Sequence, residues 1–304
     1  MHKVVLTLGL AVVISAGTAI AGSDQAEAGS ASGSPVLCAP QEQSPAYREL
    51  LEKFLVPGKL DESFLQSLAS SPESKARIAA LRERMARDWA NLCRFRAENR
   101  LLNGKPRPTV VFLGDSITDN WIIADPDMFS DDVLDRGISG QTSPQVLLRF
   151  YQDVVALHPR VVHIMVGTND IAGNTGPLVP GDYENNVRAM LDLARQNDIR
   201  VVLAGIPPSR YLGWAGIDPR PQIRRLNSWL EDEARRRGIV FLDYSPVLAT
   251  DDGAFDDALS NDGVHPNRAG YARMRPLAEH AIERAAAGEL ESVNDESQTI
   301  HSRS

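Results

Sequence analysis

The run Thr109-Val110-Val111-Phe112-Leu113-Gly114-Asp115-Ser116 decides how the rest of the chain is read. β-branched and apolar residues stop abruptly at Gly-Asp-Ser, the profile of a buried strand ending in a polar loop. The same rhythm recurs downstream. Residues 110–113, 133–137, 161–166, 201–206 and 239–243 read as strands, and 144–157, 183–196, 222–237 and 268–287 read as amphipathic helices between and after them. Ser143-Pro144 marks one helix start and Gly238 one helix stop. Strands alternating with helices predict an α/β domain whose parallel sheet is covered on both faces.

The chain has 304 residues, 43% hydrophobic and 24% charged, enough for a substantial core. A net charge of −8 argues against nucleic acid as a partner, because phosphate binding needs a basic face. Met1-His2-Lys3, a diluted apolar run to Ile20 and the small-x-small Ala19-Ile20-Ala21 read as a secretory signal over residues 1–21. Polar interruptions make that run a poor membrane span, so export to the periplasm or exterior is expected, with no stable membrane insertion after cleavage. Cys38 and Cys93, the two cysteines, are then expected to pair. Closing a loop of that size stabilises a fold by about 4 kcal/mol on the chain-entropy estimate.

Composition divides the remainder. Residues 22–43 read as a flexible leader, 44–105 as a helical extension, 106–287 as the main domain and 288–304 as a polar tail. Ser44-Pro45 and Ser71-Pro72 are cap-then-proline starts. Ile78, Leu81, Met85, Trp89, Leu92 and Phe95 predict one amphipathic helix over 76–102.

In a parallel sheet the chemistry gathers in loops at the carboxyl ends of the strands. Those loops carry Gly114-Asp115-Ser116, Gly137-Ile138-Ser139-Gly140-Gln141, Gly167-Thr168-Asn169-Asp170, Ser209-Arg210-Tyr211 with Trp214, and Asp262-Gly263-Val264-His265. A hydroxyl, an imidazole and a carboxylate from such loops can form a nucleophile, base and orienting group. Taken singly, Ser116 reads as a helix cap, Asp262 as a turn residue and Gly140 as a positive-φ position. His158 and His163 fall around the third strand and read as structural. A single histidine among Asp115, Asp170, Asp262 and His265, with no His-Glu-x-x-His pair, argues against a metal site. The glycine spacing around Gly137 and Gly140 does not match a dinucleotide fingerprint.

Four blocks in order, around Ser116, Gly140, Asn169 and His265, resemble the SGNH/GDSL hydrolase family over residues 108–285. The resemblance implies a flavodoxin-like, three-layer α/β/α domain with five parallel strands in the order 2-1-3-4-5. It implies Ser116 as nucleophile, His265 as base and Asp262 as its partner, working without metal or organic cofactor. The oxyanion donors would be the Ser116 and Gly140 backbone N–H groups and the Asn169 amide, each worth about 2.7–4 kcal/mol of barrier. Asp115, Tyr211 and Trp214 are the expected substrate contacts, and Trp121 a further aromatic near the site. Asp135 departs from the family, where many relatives carry Asn. The expected substrate is a short-chain, acetyl-type ester of a carbohydrate or other small polar molecule. Lipid acyl esters, thioesters and acyl transfer to an envelope polysaccharide are the alternatives.

Overall fold

The computed structural model describes residues 38, 45–58, 71–212 and 215–288. The expected signal, the leader apart from Cys38, Trp214, and the tail beyond Gly288 lie outside the described residues. Among the described residues three helices precede the sheet: α1 (Pro45–Leu55), α2 (Pro72–Arg87) and α3 (Arg96–Leu101). Then come β1 (Val110–Gly114), α4 (Ser116–Asp119), α5 (Trp121–Ala124), β2 (Val133–Gly137), α6 (Ser143–Asp153), β3 (Val161–Met165) and α7 (Thr168–Ile171). The chain continues through α8 (Pro180–Gln196), β4 (Arg200–Ala204), α9 (Arg220–Arg237), β5 (Val240–Leu242), α10 (Ser245–Leu248) and α11 (Arg268–Ala287).

All five strands pair in parallel in the order β2-β1-β3-β4-β5. Successive side chains of a strand point to opposite faces, and β1 feeds two cores. Val111 and Leu113 enter the core built with α6, α8 and α9, whereas Val110 and Phe112 enter the core with Trp121, Tyr271 and α11. Burying both faces explains why the strand is continuously apolar rather than alternating. His163 is fully buried in the second core, tilted over Phe112 with ring centroids 4.8 Å apart, and Nε2 lies 3.0 Å from the Tyr244 hydroxyl. Burial pushes its pKa down to about 3, so it is a neutral core histidine.

The single helix expected over 76–102 is two helices. α2 stops at Arg87 because the Asp88 carboxylate accepts the backbone N–H groups of Leu92 (2.7 Å) and Cys93 (2.9 Å). Asn91 then takes a left-handed φ of 53°, which no continuing helix allows. The turn is fixed from both sides. A Cys38–Cys93 disulfide holds it, and the side-chain amides of Gln145 and Gln152 each donate at 2.7 Å to its Trp89 and Leu92 carbonyls. At the far side, Asn261 donates to the Phe54 and Val56 carbonyls at the end of α1, at 2.7 and 2.6 Å.

Asp135 accepts the Gly137 N–H at 2.6 Å, and its second oxygen, Oδ2, is buried without a hydrogen-bond partner. Burial, reinforced by the negative charge of Asp119, pushes its pKa up to about 8, against the pull of the Gly137 N–H and Arg136. At neutral pH the group is therefore an uncharged carboxyl, close in shape and polarity to the asparagine amide. A folded-state pKa above the unfolded one means that the native state binds the extra proton, so this group costs stability as pH rises from about 4 to about 8. Asp135→Asn removes that cost, so its melting temperature relative to the parent should climb between pH 5 and pH 8 in calorimetry. A difference that stays flat across that range would contradict the assignment.

Candidate active site

Ser116 is placed by the strand before it and the helix it begins. Asp115 caps α4, its Oδ1 accepting the Ile117 N–H at 3.0 Å, so the chain leaves β1 and turns at once into a helix. The serine hydroxyl stands at that turn.

The loop that meets it is organised by one carboxylate. Asp262 Oδ1 accepts the N–H groups of Val264 (2.9 Å) and His265 (2.8 Å), curling the backbone through Gly263 at φ +76°. Asp262 Oδ2 lies 2.7 Å from His265 Nδ1, and Nε2 of the same ring lies 2.8 Å from Ser116 Oγ. A carboxylate can only accept, so Nδ1 carries the proton and Nε2 offers its lone pair to the hydroxyl. Burial works against charge on His265, yet Asp262 outweighs it and holds the imidazole pKa above its ordinary 6.5. Burial likewise opposes the Asp262 charge, and His265 more than compensates, holding that carboxyl below 3.8. The arrangement can deprotonate an alcohol and stabilise the resulting imidazolium.

The neighbouring loops carry N–H donors that are linked to one another through Asp115 and Asn174. Among the described residues no acceptor is paired with the backbone N–H of Ser116 or of Gly140. Gly140 has φ +82°, and a Cβ there would meet only the Asn174 amide nitrogen at 4.0 Å. The glycine is demanded by its backbone conformation rather than by crowding. Asn169 stands beside it, with Nδ2 donating to Asp115 Oδ2 (3.0 Å) and to the Gln141 carbonyl (3.1 Å). Both amide hydrogens are thus engaged within the protein, so an oxyanion would share one of them. Asn174 donates to Asn169 Oδ1 (2.8 Å) and to the Gly140 carbonyl (3.1 Å), tying the two together. Burial pushes Asp115 up to about 6 against the bonds from Ile117 and Asn169. Asp170 is pushed up to about 7 in the same way while accepting the Ser143 N–H and hydroxyl. These carboxylates face N–H and O–H donors at the ends of helices and loops.

Comparison with known proteins gives the family. The model of the GDSL-like lipase/acylhydrolase family matches residues 112–273. The chain belongs to that family. It is therefore a hydrolase of the esterase type. A candidate acylhydrolase of Bacteroides fragilis is 40% identical, with a TM-score of 0.62 over 66% of this chain and 99% of that one. A GDSL-like lipase of Bacteroides thetaiotaomicron is 39% identical, with a TM-score of 0.61 over 65% and 100%. The lipoprotein YqeF of Bacillus subtilis is 28% identical over 198 residues, 53% of this chain and 81% of its own.

The further aromatic near Ser116 in sequence falls elsewhere in this hydrolase. Trp121 is fully buried, its ring 5.5 Å from Phe112 and 5.4 Å from Tyr271, so it belongs to the core and not to a substrate wall. Tyr211 is 42% exposed, and its neighbour Arg210 donates its N–H to the Gly263 carbonyl at 2.9 Å, which ties the backbone before Tyr211 to the histidine loop. Asn174 escaped the sequence reading, although it lies on the Asn169 loop. Arg149 carried no signal, because an arginine in an amphipathic helix reads as solvent-facing.

Attack by Ser116 needs neutral His265, so kcat/KM should fall as pH drops through an apparent pKa above 6.5. Asp262→Asn should move that acidic limb to lower pH and reduce kcat by roughly 10⁴-fold. An unshifted limb in a pH–rate profile of the variant would show that another group titrates.

Proposed function

We propose that this hydrolase is an exported serine esterase that releases short acyl groups, acetyl foremost, from a carbohydrate or similar polar alcohol. The observation that carries the reading is the continuous chain Ser116 Oγ, His265 Nε2, His265 Nδ1, Asp262 Oδ2, at 2.8 and 2.7 Å. His265 takes the hydroxyl proton as Ser116 Oγ bonds to the ester carbon, and negative charge moves to the carbonyl oxygen between the Ser116 and Gly140 N–H groups. The C–O bond to the alcohol then breaks, and the imidazolium returns its proton to the leaving oxygen. Water, deprotonated by His265, attacks the acyl-enzyme by the same path in reverse. No metal or organic cofactor is needed for these steps.

Two features favour a small acyl group on a polar carrier. Ile117 and Val264, which flank the serine and precede the histidine, are 1% and 2% exposed and already committed to the two cores. They are not free to line a long acyl channel. Tyr211 is an exposed aromatic that directly follows a residue bonded to the histidine loop, and such a ring is suited to the face of a sugar. Export is supported by the signal-like start, by the Cys38–Cys93 disulfide and by the lipoprotein name of the B. subtilis relative. Cys38 is engaged in that disulfide and so is not a lipid attachment site.

Ser116→Ala should lower turnover by roughly 10⁶-fold while leaving the melting temperature close to that of the parent. A series of p-nitrophenyl esters should give the highest kcat/KM with acetate. A maximum at eight or more carbons would replace the short-acyl reading with a lipid one, and full activity in the Ser116 variant would end the serine mechanism.

A further inference from the structure

Behind the site lies a buried polar relay that the mechanism above does not use. Arg149 on α6 is fully buried and spreads its guanidinium over separate acceptors. Nε donates to the Gln141 side-chain oxygen at 2.6 Å, Nη2 to the Gly114 carbonyl at 2.8 Å and Nη1 to Asp153 at 3.1 Å. Gly114 is the last residue before Asp115-Ser116, and Gln141 directly follows Gly140. One cation therefore spans the nucleophile strand and the loop of the second oxyanion donor. Gln141 extends the link in two directions. Its side-chain amide donates to the Ala90 carbonyl at 2.7 Å, in the turn held by the disulfide, and its own carbonyl accepts the Asn169 amide at 3.1 Å.

We propose that Gln141 and Arg149 are positioning residues of the oxyanion hole, and that the turn at residues 88–93, docked through Ala90, completes it. The inference rests on the reading of Ser116, Gly140 and Asn169 as the reacting group and its donors. Its physical basis is that an oxyanion hole works only when its donors are already oriented, because reorienting them during reaction returns the energy to the barrier. Gly140 sits in a left-handed conformation on a surface loop, and its N–H direction follows from whatever pins the residues around it. Asn174 pins its carbonyl, and Gln141 pins the next residue from both ends of one side chain. The segment before β1 thereby acquires a catalytic consequence without touching substrate: its Ala90 carbonyl is the acceptor that fixes Gln141.

Arginine is required for this role because a planar fork can bond several acceptors at once, which a lysine ammonium on a flexible stem cannot reproduce. A purely structural role would show as lost stability with the chemistry intact. The test uses the full-length protein with Gln141→Met and Arg149→Lys; the second keeps the charge beside Asp153 if the first folds poorly. Rates are counted per active site, titrated with a fluorophosphonate that labels Ser116. In both variants kcat on p-nitrophenyl acetate should fall about tenfold or more, short of the 10²–10³ lost with a donor outright. KM should stay within twofold, and affinity for a trifluoromethyl ketone, whose adduct carries an oxyanion, should fall by the same factor as kcat/KM. Unchanged kcat per labelled site, whether or not the melting temperature drops, would overturn the proposal, as would a change confined to KM. Failure of the underlying esterase reading looks different, since the parent enzyme itself would then show neither labelling nor turnover.

Discussion

Helix α4 crosses the ends of β1 and β2 so closely that two α-carbons there can carry only hydrogen. A methyl group on Gly114 would run into the Thr118 side chain of α4 and lie 2.6 Å from the Met165 carbonyl oxygen of β3, and one on Gly137 would run into the Asp119 backbone nitrogen and lie 2.6 Å from the Asp119 α-carbon. Both distances are well inside van der Waals contact. The two glycines are partners in the sheet register, so the gap they leave is continuous across both strands. That gap lets the chain turn directly from β1 into α4 and hold Ser116 over the sheet edge. It also brings Asp119 over β2, where its carboxylate accepts the N–H and hydroxyl of Ser139 at 3.1 and 2.5 Å. Ser116 and the loop of Gly140 are thus tied to each other before any substrate arrives.

Around this contact the protein buries several ionisable groups and satisfies nearly all of them. Asp115 caps the helix of the nucleophile, Asp170 receives the start of α6, and Arg149 joins strand, loop and helix from below. A buried charge is tolerated only when its partners are in place, so each such group fixes the geometry of several backbone segments at once. The extension contributes on two sides. Its first helix ends on Asn261, the residue before Asp262, and its disulfide-held turn ends on Gln141, the residue after Gly140. Both halves of the site therefore lean on chain that precedes the first strand.

Much of this was legible in the residues themselves. Apolar runs located β1, β3, β4 and β5 because a sheet covered on both faces needs hydrophobic side chains at successive positions, and α11 falls on the expected residues 268–287. The proposed triad residues Ser116, Asp262 and His265 stand out in the sequence because they lie where strands give way to loops and no core role competes for them. Trp121 was misplaced because sequence proximity to Ser116 says nothing about which face α5 presents, and that face meets Tyr271 and Phe112. The break after Arg87 was hidden because Asp88 can extend a helix or cap a turn, and only the folded chain shows its carboxylate turned back on Leu92 and Cys93. Arg149 and Asn174 were invisible for a related reason: the contacts that bring them to the site are with the Gly114 and Gly140 carbonyls, distant in sequence, and backbone acceptors leave no trace in residue identity.

The central claim is spatial: Ser116 attacks an ester beside amide donors that already point at the carbonyl oxygen where negative charge develops. A crystal structure of the enzyme inactivated by a small alkyl fluorophosphonate tests it most directly. The phosphorus should be bonded to Ser116 Oγ, with the phosphonyl oxygen about 2.7–3.1 Å from the Ser116 and Gly140 nitrogens and His265 still paired with Asp262. An adduct on another residue, or a phosphonyl oxygen turned to solvent away from those nitrogens, would contradict the account.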